Sequence, residues 1–126
     1  MAKWILKFAS YKKKNDIFDA VKNGEKTIET RPINLEAKRN YSQVKVGDVL
    51  RMVSLDTKEE MEKVVTFVHP YKSVSDLAKN EPVGKIIPGV KTSKELVDIF
   101  EELKKKWGKS YSNKLEKYDI VAIGFE

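Results

Sequence analysis

The final nine residues, "YDIVAIGFE" at 118–126, constrain the fold more than any other stretch. They are apolar, rich in β-branched side chains and terminal, so they read as a core strand closing a sheet. The rest of the chain must supply that sheet. "KWILKF" at 3–8 predicts a first strand, placed centrally, with Trp4, Leu6 and Phe8 on one face and Ile5 on the other. Ile17, Phe18 and Val21 then recur at helical spacing, with Asn15 or Asp16 available as a cap and Asn23-Gly24 as a stop. Gly47-Asp48 turns into a strand at Val49–Ser54, and Met61–Val68 brings the chain back as the second arm of a hairpin.

Ser73-x-x-Asp76 predicts a short helix ending near Asn80, and Pro82 to Val90 reads as a looser connection. Thr92-x-x-Glu95 opens the longest helix, whose stripe of Leu96, Ile99, Phe100, Leu103 and Trp107 is packing surface and which Gly108 ends. Residues 33–43 lack a clear period and read as a long loop, with one helical turn around Leu35 to Arg39. Five or six strands and about three flanking helices, in an order mixing hairpins with helical crossovers, predict an α+β fold. Its sheet is small and mixed and curls into a barrel, rather than being doubly wound. At 126 residues the chain has the size of one domain, spanning 1–126, with enough length to bury a core.

Composition removes several chemistries. There is no cysteine, hence no disulfide framework and no thiolate metal site, which suits a reducing, cytoplasmic setting. His69 is the sole histidine, which excludes multi-histidine metal sites and leaves Lys, Glu, Asp, Thr, Ser or Tyr for any catalysis. Neither a metal nor another cofactor is expected, and nothing matches GxGxxG or a P-loop. No apolar run approaches the ~20 residues of a membrane span, so no membrane partner is expected. A formal charge of +6, from 25 Lys plus Arg against 19 Asp plus Glu, invites a polyanion such as nucleic acid. Lysine- and glutamate-rich surfaces also occur in thermophiles, so the charge alone is a weak pointer.

The stretch "GEKTIETRP", Gly24 to Pro32, concentrates charge on what otherwise reads as a short strand leaving a glycine turn. Strand parity sets Thr27, Glu29 and Arg31 against Ile28 and Thr30. One reading is a solvated ion pair on an exposed face, worth ~0–1 kcal/mol. The other is a polar cleft in which Arg31 holds Glu29 in place, Glu29 accepts hydrogen bonds, and Lys26 offers positive charge to a phosphate or oxyanion. His69, before Pro70 at a strand end, reads as a hydrogen-bonded loop histidine or as a base at the cleft mouth. Tyr71 could stack on a base, whereas Trp4 reads as core. The lysine runs at 12–14 and 104–106 read as solvated faces, unless they border one cleft and form an electrostatic track.

"GEKTIETR" resembles the G-x-K-x-x-E-x-R signature of the ASCH domain family. The "VGDVLRM" strand, the spaced Val65, Val68, Tyr71 and Ser73, and the closing "YDIVAIGFE" extend the resemblance over the whole chain. It implies a PUA-like barrel and a cleft lined by Lys26, Glu29 and Arg31 that faces RNA or a nucleotide-like ligand, and on the reading of the residues Tyr71 and His69 are the candidates for its rim. It also implies an alternative, because some members look like amidohydrolases of acylated cytidine and others are assigned as RNA-cleaving. The amidohydrolase branch uses a lysine, a threonine three residues later and a distant glutamate. Lys26 matches the lysine, but Glu29 occupies the threonine position, with Thr27 and Thr30 on either side and Glu81 and Glu95 in the region of the distant acid. On that alternative Lys26, Glu29, Thr27 and Thr30 are the candidate catalytic residues.

Overall fold

The computed structural model describes residues 2–33, 40–117 and 119–126, with side chains except at 107 and 110–117. The helical turn expected at Leu35 to Arg39 and the Trp107 side chain therefore lie outside the described residues. The strands are β1 (Lys3–Phe8), β2 (Ile28–Pro32), β3 (Val49–Ser54), β4 (Glu60–Tyr71) and β5 (Ile120–Phe125). The helices are α1 (Asp16–Lys22), α2 (Val74–Asn80), α3 (Val83–Ile86) and α4 (Ser93–Lys117), with a 3-10 turn at Tyr41–Gln43. The strand order is β1-β3-β4-β5-β2, in which only the β1–β3 pair is parallel. This is the expected mixed α+β architecture, with the sheet curled into a half-barrel.

The C-terminal strand lies inside the sheet, between β4 and β2, and all six of its residues are buried. Alternation sends Val121, Ile123 and Phe125 to one face, where they meet Leu6, Phe8, Leu50, Met52 and, from α1, Phe18 and Val21. Ile120 and Ala122 go to the other face and pack with Ile28, Leu77 of α2, Ile86 of α3, and Leu96 and Phe100 of α4. A strand buried on both faces cannot alternate apolar with polar residues, which explains its unbroken apolar sequence.

Curling centres on β4, which runs 12 residues and extends past its expected end at Val68. Residues Glu60–Val64 pair with β3, and from Val65 onward the strand pairs with β5. A bulge between Val65 and Phe67 lies at this change of partner, and an unpaired extra residue of this kind bends a strand and increases its twist. Pro70 is tolerated within the strand because this part of β4 has left β3 and borders only β5.

Two local expectations are corrected, and the helix stop at Gly108 is present. β1 is an edge strand, not a central one; its outward-facing lysines, Lys3 and Lys7, are exposed, as suits an edge. Gly108, at φ 84° and ψ −176°, ends the helix that starts at Ser93, as expected, and a second helical stretch follows it within α4 to Lys117. The Pro82–Val90 connection contains α3, which makes four helices among the described residues rather than three. The expected caps of the later helices are present: Ser73 Oγ accepts from Asp76 N at 3.1 Å and Thr92 Oγ1 from Glu95 N at 3.1 Å.

Candidate functional site

Lys26, Glu29 and Arg31 converge along β2, an edge strand of the sheet. Phe125 N donates to Thr27 O at 3.0 Å, so antiparallel alternation turns the Thr27 carbonyl and the peptide groups of Glu29 and Arg31 toward β5. Those of Ile28 and Thr30 are left on the outer edge. The charged side chains satisfy them. Lys26 Nζ donates to Ile28 O at 2.7 Å, and Thr30 N donates to Glu29 Oε1 at 3.0 Å. An edge strand that would otherwise present an unpaired donor and acceptor is thus sealed by its own neighbours.

Lys26 is only 4 % exposed, and its ammonium also donates to Ile86 O at 2.7 Å and lies 3.4 Å from Glu29 Oε1. Three acceptors therefore face its three N–H bonds. Burial pulls the Lys26 ammonium below the ordinary lysine range, opposed by the attraction of Glu29. For Glu29 burial pushes the carboxyl up, but the Lys26 and Arg31 charges and the bonds from Arg31 and Thr30 outweigh it. The carboxyl is held below its usual range. Arg31 Nη2 donates to Glu29 Oε2 at 2.9 Å and to Lys7 O at 3.4 Å. Lys7 belongs to β1, at the opposite end of the strand order, so Arg31 reaches across the mouth of the curled sheet from one edge to the other.

Arg31 is the most exposed of the three side chains, at 26 %, and its guanidinium lies 5.8 Å from the centre of the Tyr41 ring. Tyr41 in turn leans on Trp4, with ring centres 5.9 Å apart. Trp4 Nε1 donates to Asp48 Oδ2 at 3.0 Å, and Asp48 also accepts from Ala2 N at 3.0 Å and Lys45 N at 2.9 Å. Those backbone donors, with Trp4, hold the Asp48 carboxyl below its usual range. A chain of contacts thus runs from Asp48 through Trp4 and Tyr41 to Arg31, Glu29 and Lys26. Tyr41 and Asp48 were missed in the sequence because the residues around Tyr41 have no periodic pattern and Gly47-Asp48 reads simply as a turn.

His69 and Tyr71 join a different group. In register they lie opposite Ala122 and Ile120, whose side chains face the second core, whereas Glu29 and Arg31 lie opposite Ile123 and Val121, which face the first. The two sets are on opposite faces of the sheet. His69 Nδ1 lies 2.8 Å from Glu81 Oε2, which also accepts from the Tyr71 hydroxyl. Burial and the Glu81 carboxylate push the Tyr71 hydroxyl up to about 12. His69 is therefore a strand residue rather than a loop residue, stacked on Phe67 with ring centres 4.5 Å apart. Thr30, opposite Ala122, faces this second side, and Thr27 is tied by its backbone between Lys85 O and Phe125 N. Glu81 partners His69 and Tyr71, and Glu95 pairs with Thr92 at the start of α4.

A cleft of about 400 Å³ borders the start of the signature, lined by Tyr11, Lys12, Ile17, Glu25, Ile87 and Ile99 among others. Among the described residues no cluster of three His, Cys, Asp or Glu could hold a metal ion, and no helix is long and apolar enough to cross a membrane.

No protein-family model and no curated protein matches the chain. Solved structures do. Hypothetical protein PH0355 is 24 % identical with a TM-score of 0.68, the match covering 98 % of this chain and 97 % of that one. Protein PF0455 from Pyrococcus furiosus is 22 % identical with a TM-score of 0.61, over 98 % and 96 % of the two chains. An ASCH domain from Lactobacillus crispatus JV V101 is 18 % identical with a TM-score of 0.61, over 99 % of this chain and 79 % of that one. At these identities the likeness is one of fold, and the fold this chain carries is that of the ASCH domain.

Proposed function

We propose that the protein binds RNA, or a ligand built like a nucleotide, at the mouth of the curled sheet, with Arg31 as the contacting cation. The observation that carries this reading is the order of exposure within one ion-paired chain: Lys26 at 4 %, Glu29 at 10 % and Arg31 at 26 %. Two members are used to hold the third. Glu29 fixes the guanidinium, Lys26 fixes Glu29, and the Tyr41 ring supports the outer part of the site. A positioned guanidinium beside an aromatic ring suits a phosphate next to a base, since Arg pairs well with phosphate oxygens and aromatic faces support stacked bases. The net charge of +6 favours the same class of ligand.

Binding is preferred to hydrolysis of acylated cytidine or to RNA cleavage because of how the candidate catalytic residues are disposed. The Lys26 ammonium is directed at protein acceptors, Glu29 takes the position of a nucleophilic threonine, and Thr30 faces the other side of the sheet. The test is equilibrium binding of a short single-stranded RNA to the purified protein and to Arg31→Ala. The reading expects weaker binding by the variant at unchanged fold. Equal affinity of the two proteins contradicts it.

A further inference from the structure

The two lysine runs, 92 positions apart between Lys12 and Lys104 in sequence, meet around a single tyrosine. Lys12 Nζ lies 5.4 Å and Lys106 Nζ 5.7 Å from the centre of the Tyr11 ring, and Lys106 Nζ donates to Tyr11 O at 2.8 Å. The two ammonium groups therefore lie no more than about 11 Å apart, close to the ~8–10 Å over which salt screens exposed like charges, so their mutual repulsion is only partly screened.

The turn carrying Lys12, Lys13 and Lys14 is also built rather than loose. The Asp16 carboxylate accepts from Tyr11 N at 2.8 Å, Lys12 N at 2.7 Å and Lys13 N at 3.1 Å, folding the backbone inward and leaving the three lysine side chains exposed. Asn15 follows with φ 63°, held by its N–H to Asp56 Oδ2 at 2.8 Å, by its side-chain amide to Asp19 Oδ1 at 2.9 Å and by the Ser54 hydroxyl. A non-glycine residue at positive φ is uncommon, and here six tertiary and local bonds hold it and its neighbours in place. Lys105 and Lys106 are exposed beside this turn, whereas Lys104 is engaged by Glu101 at 3.0 Å. Of the nearby acidic groups, Asp16 is engaged by backbone donors and Glu102 by the Tyr11 hydroxyl at 3.4 Å, while Glu25 and Glu95 line the adjoining cleft.

We infer that Lys12, Lys13 and Lys14, with Lys105 and Lys106 of α4, form a pre-shaped contact surface for the phosphodiester backbone of RNA, extending the footprint beyond Arg31. The inference rests on the proposed RNA-binding function. Its continuity with that site is structural, because Arg31 bonds to Lys7 O, and the five steps along the chain from Lys7 to Lys12 span at most ~18 Å. One cleft lined by Tyr11, Lys12 and Glu25 joins the basic turn to the start of the signature. A rigid surface loses little conformational freedom on binding, and a chain of phosphates relieves the repulsion among the lysines.

The experiment measures affinity for a single-stranded RNA as a function of salt for the wild type, for a variant with Lys12, Lys13 and Lys14 all replaced by Gln, and for Lys105→Gln with Lys106→Gln. A control carries Lys72→Gln, Lys79→Gln and Lys94→Gln, exposed lysines elsewhere on the fold. Each lost phosphate contact flattens the slope of log K against log salt by about 0.7 for single strands. The expected result is a flatter slope in both basic-surface variants and a near-wild-type slope in the control, with urea midpoints unchanged.

If Arg31→Ala weakens binding while the lysine variants keep the wild-type slope, the inference is overturned and the Arg31 site stands. If the lysine variants flatten the slope while Arg31→Ala binds normally, the surface stands and the Arg31 reading falls. No RNA binding by the wild type overturns both. Tighter binding to phosphatidylserine vesicles than to RNA, lost in the lysine variants, overturns the choice of RNA in favour of a membrane surface.

Discussion

At Lys26 a buried ammonium meets two carbonyl oxygens and a carboxylate, whereas Arg31, two positions beyond Glu29, reaches toward solvent. The same change of charge should therefore have different consequences at the two positions. Lys26→Met strips partners from the carbonyls of Ile28 and Ile86 and from Glu29, and removing one member of a buried pair costs about 3–5 kcal/mol. Arg31→Ala should leave the fold close to wild type in stability while weakening ligand binding. Urea unfolding of both variants checks the contrast, and a Lys26→Met protein as stable as wild type would refute the account of its burial. The acid limb of stability follows from Glu29. Its folded pKa is depressed, so its contribution is present above the unfolded value of about 4.3 and is lost as pH falls through the folded value. Glu29→Gln should accordingly be less stable than wild type at neutral pH, with the gap narrowing as the solution is acidified. A gap that stays constant across that range would show that the charge of Glu29 is not what matters.

At the level of the elements, the bulge in β4 and the glycine in β5 belong together. A Cβ at Gly124 would sit 2.0 Å from Cε2 of Phe67, whose ring lies across the strand just after the bulge. Gly124→Ala should destabilise the protein by about 1–3 kcal/mol, the usual penalty for overpacking. In a Phe67→Ala background the same substitution should cost much less. An equal penalty in both backgrounds would rule out this contact as the reason for glycine.

Neither feature was legible from the sequence. Gly124 stood within an apolar run that indicated a strand whatever its neighbours were, and a bulge leaves no mark on a strand that alternates imperfectly. The hairpin strands, the capped helices and the closing strand were legible because period and capping chemistry are local. The edge position of β1 was not, since an apolar hexamer has the same sequence signature at an edge covered on one face as it has in the middle. Residues Gly24 to Arg31 were legible as a charged strand with Glu29 and Arg31 as neighbours by parity, whereas a common cleft that includes Lys26 was implied only by the resemblance to the ASCH signature. Tyr41, Asp48 and the carbonyl of Ile86 come from distant positions with no pattern to reveal them. His69 and Tyr71 were drawn to the wrong face because β4 continues through Pro70, a residue that usually stops a ladder but is accepted where one side of the strand is open.

For the molecule as a whole, the two ends of the sheet order are brought together by curling and spanned by a side chain, Arg31 to the carbonyl of Lys7. The Arg31 contact is consequently formed only when the sheet is complete, so the proposed ligand binding would be coupled to the global fold rather than to one loop. A ligand that binds the folded state alone should raise the urea midpoint in proportion to its occupancy. The most direct test is salt-dependent binding of single-stranded RNA to wild type and to Arg31→Ala, with circular dichroism confirming the fold of both. The account predicts measurable binding that weakens steeply with salt and is reduced in the variant. Binding that is absent in the wild type, or identical in the two proteins at every salt concentration, would contradict it.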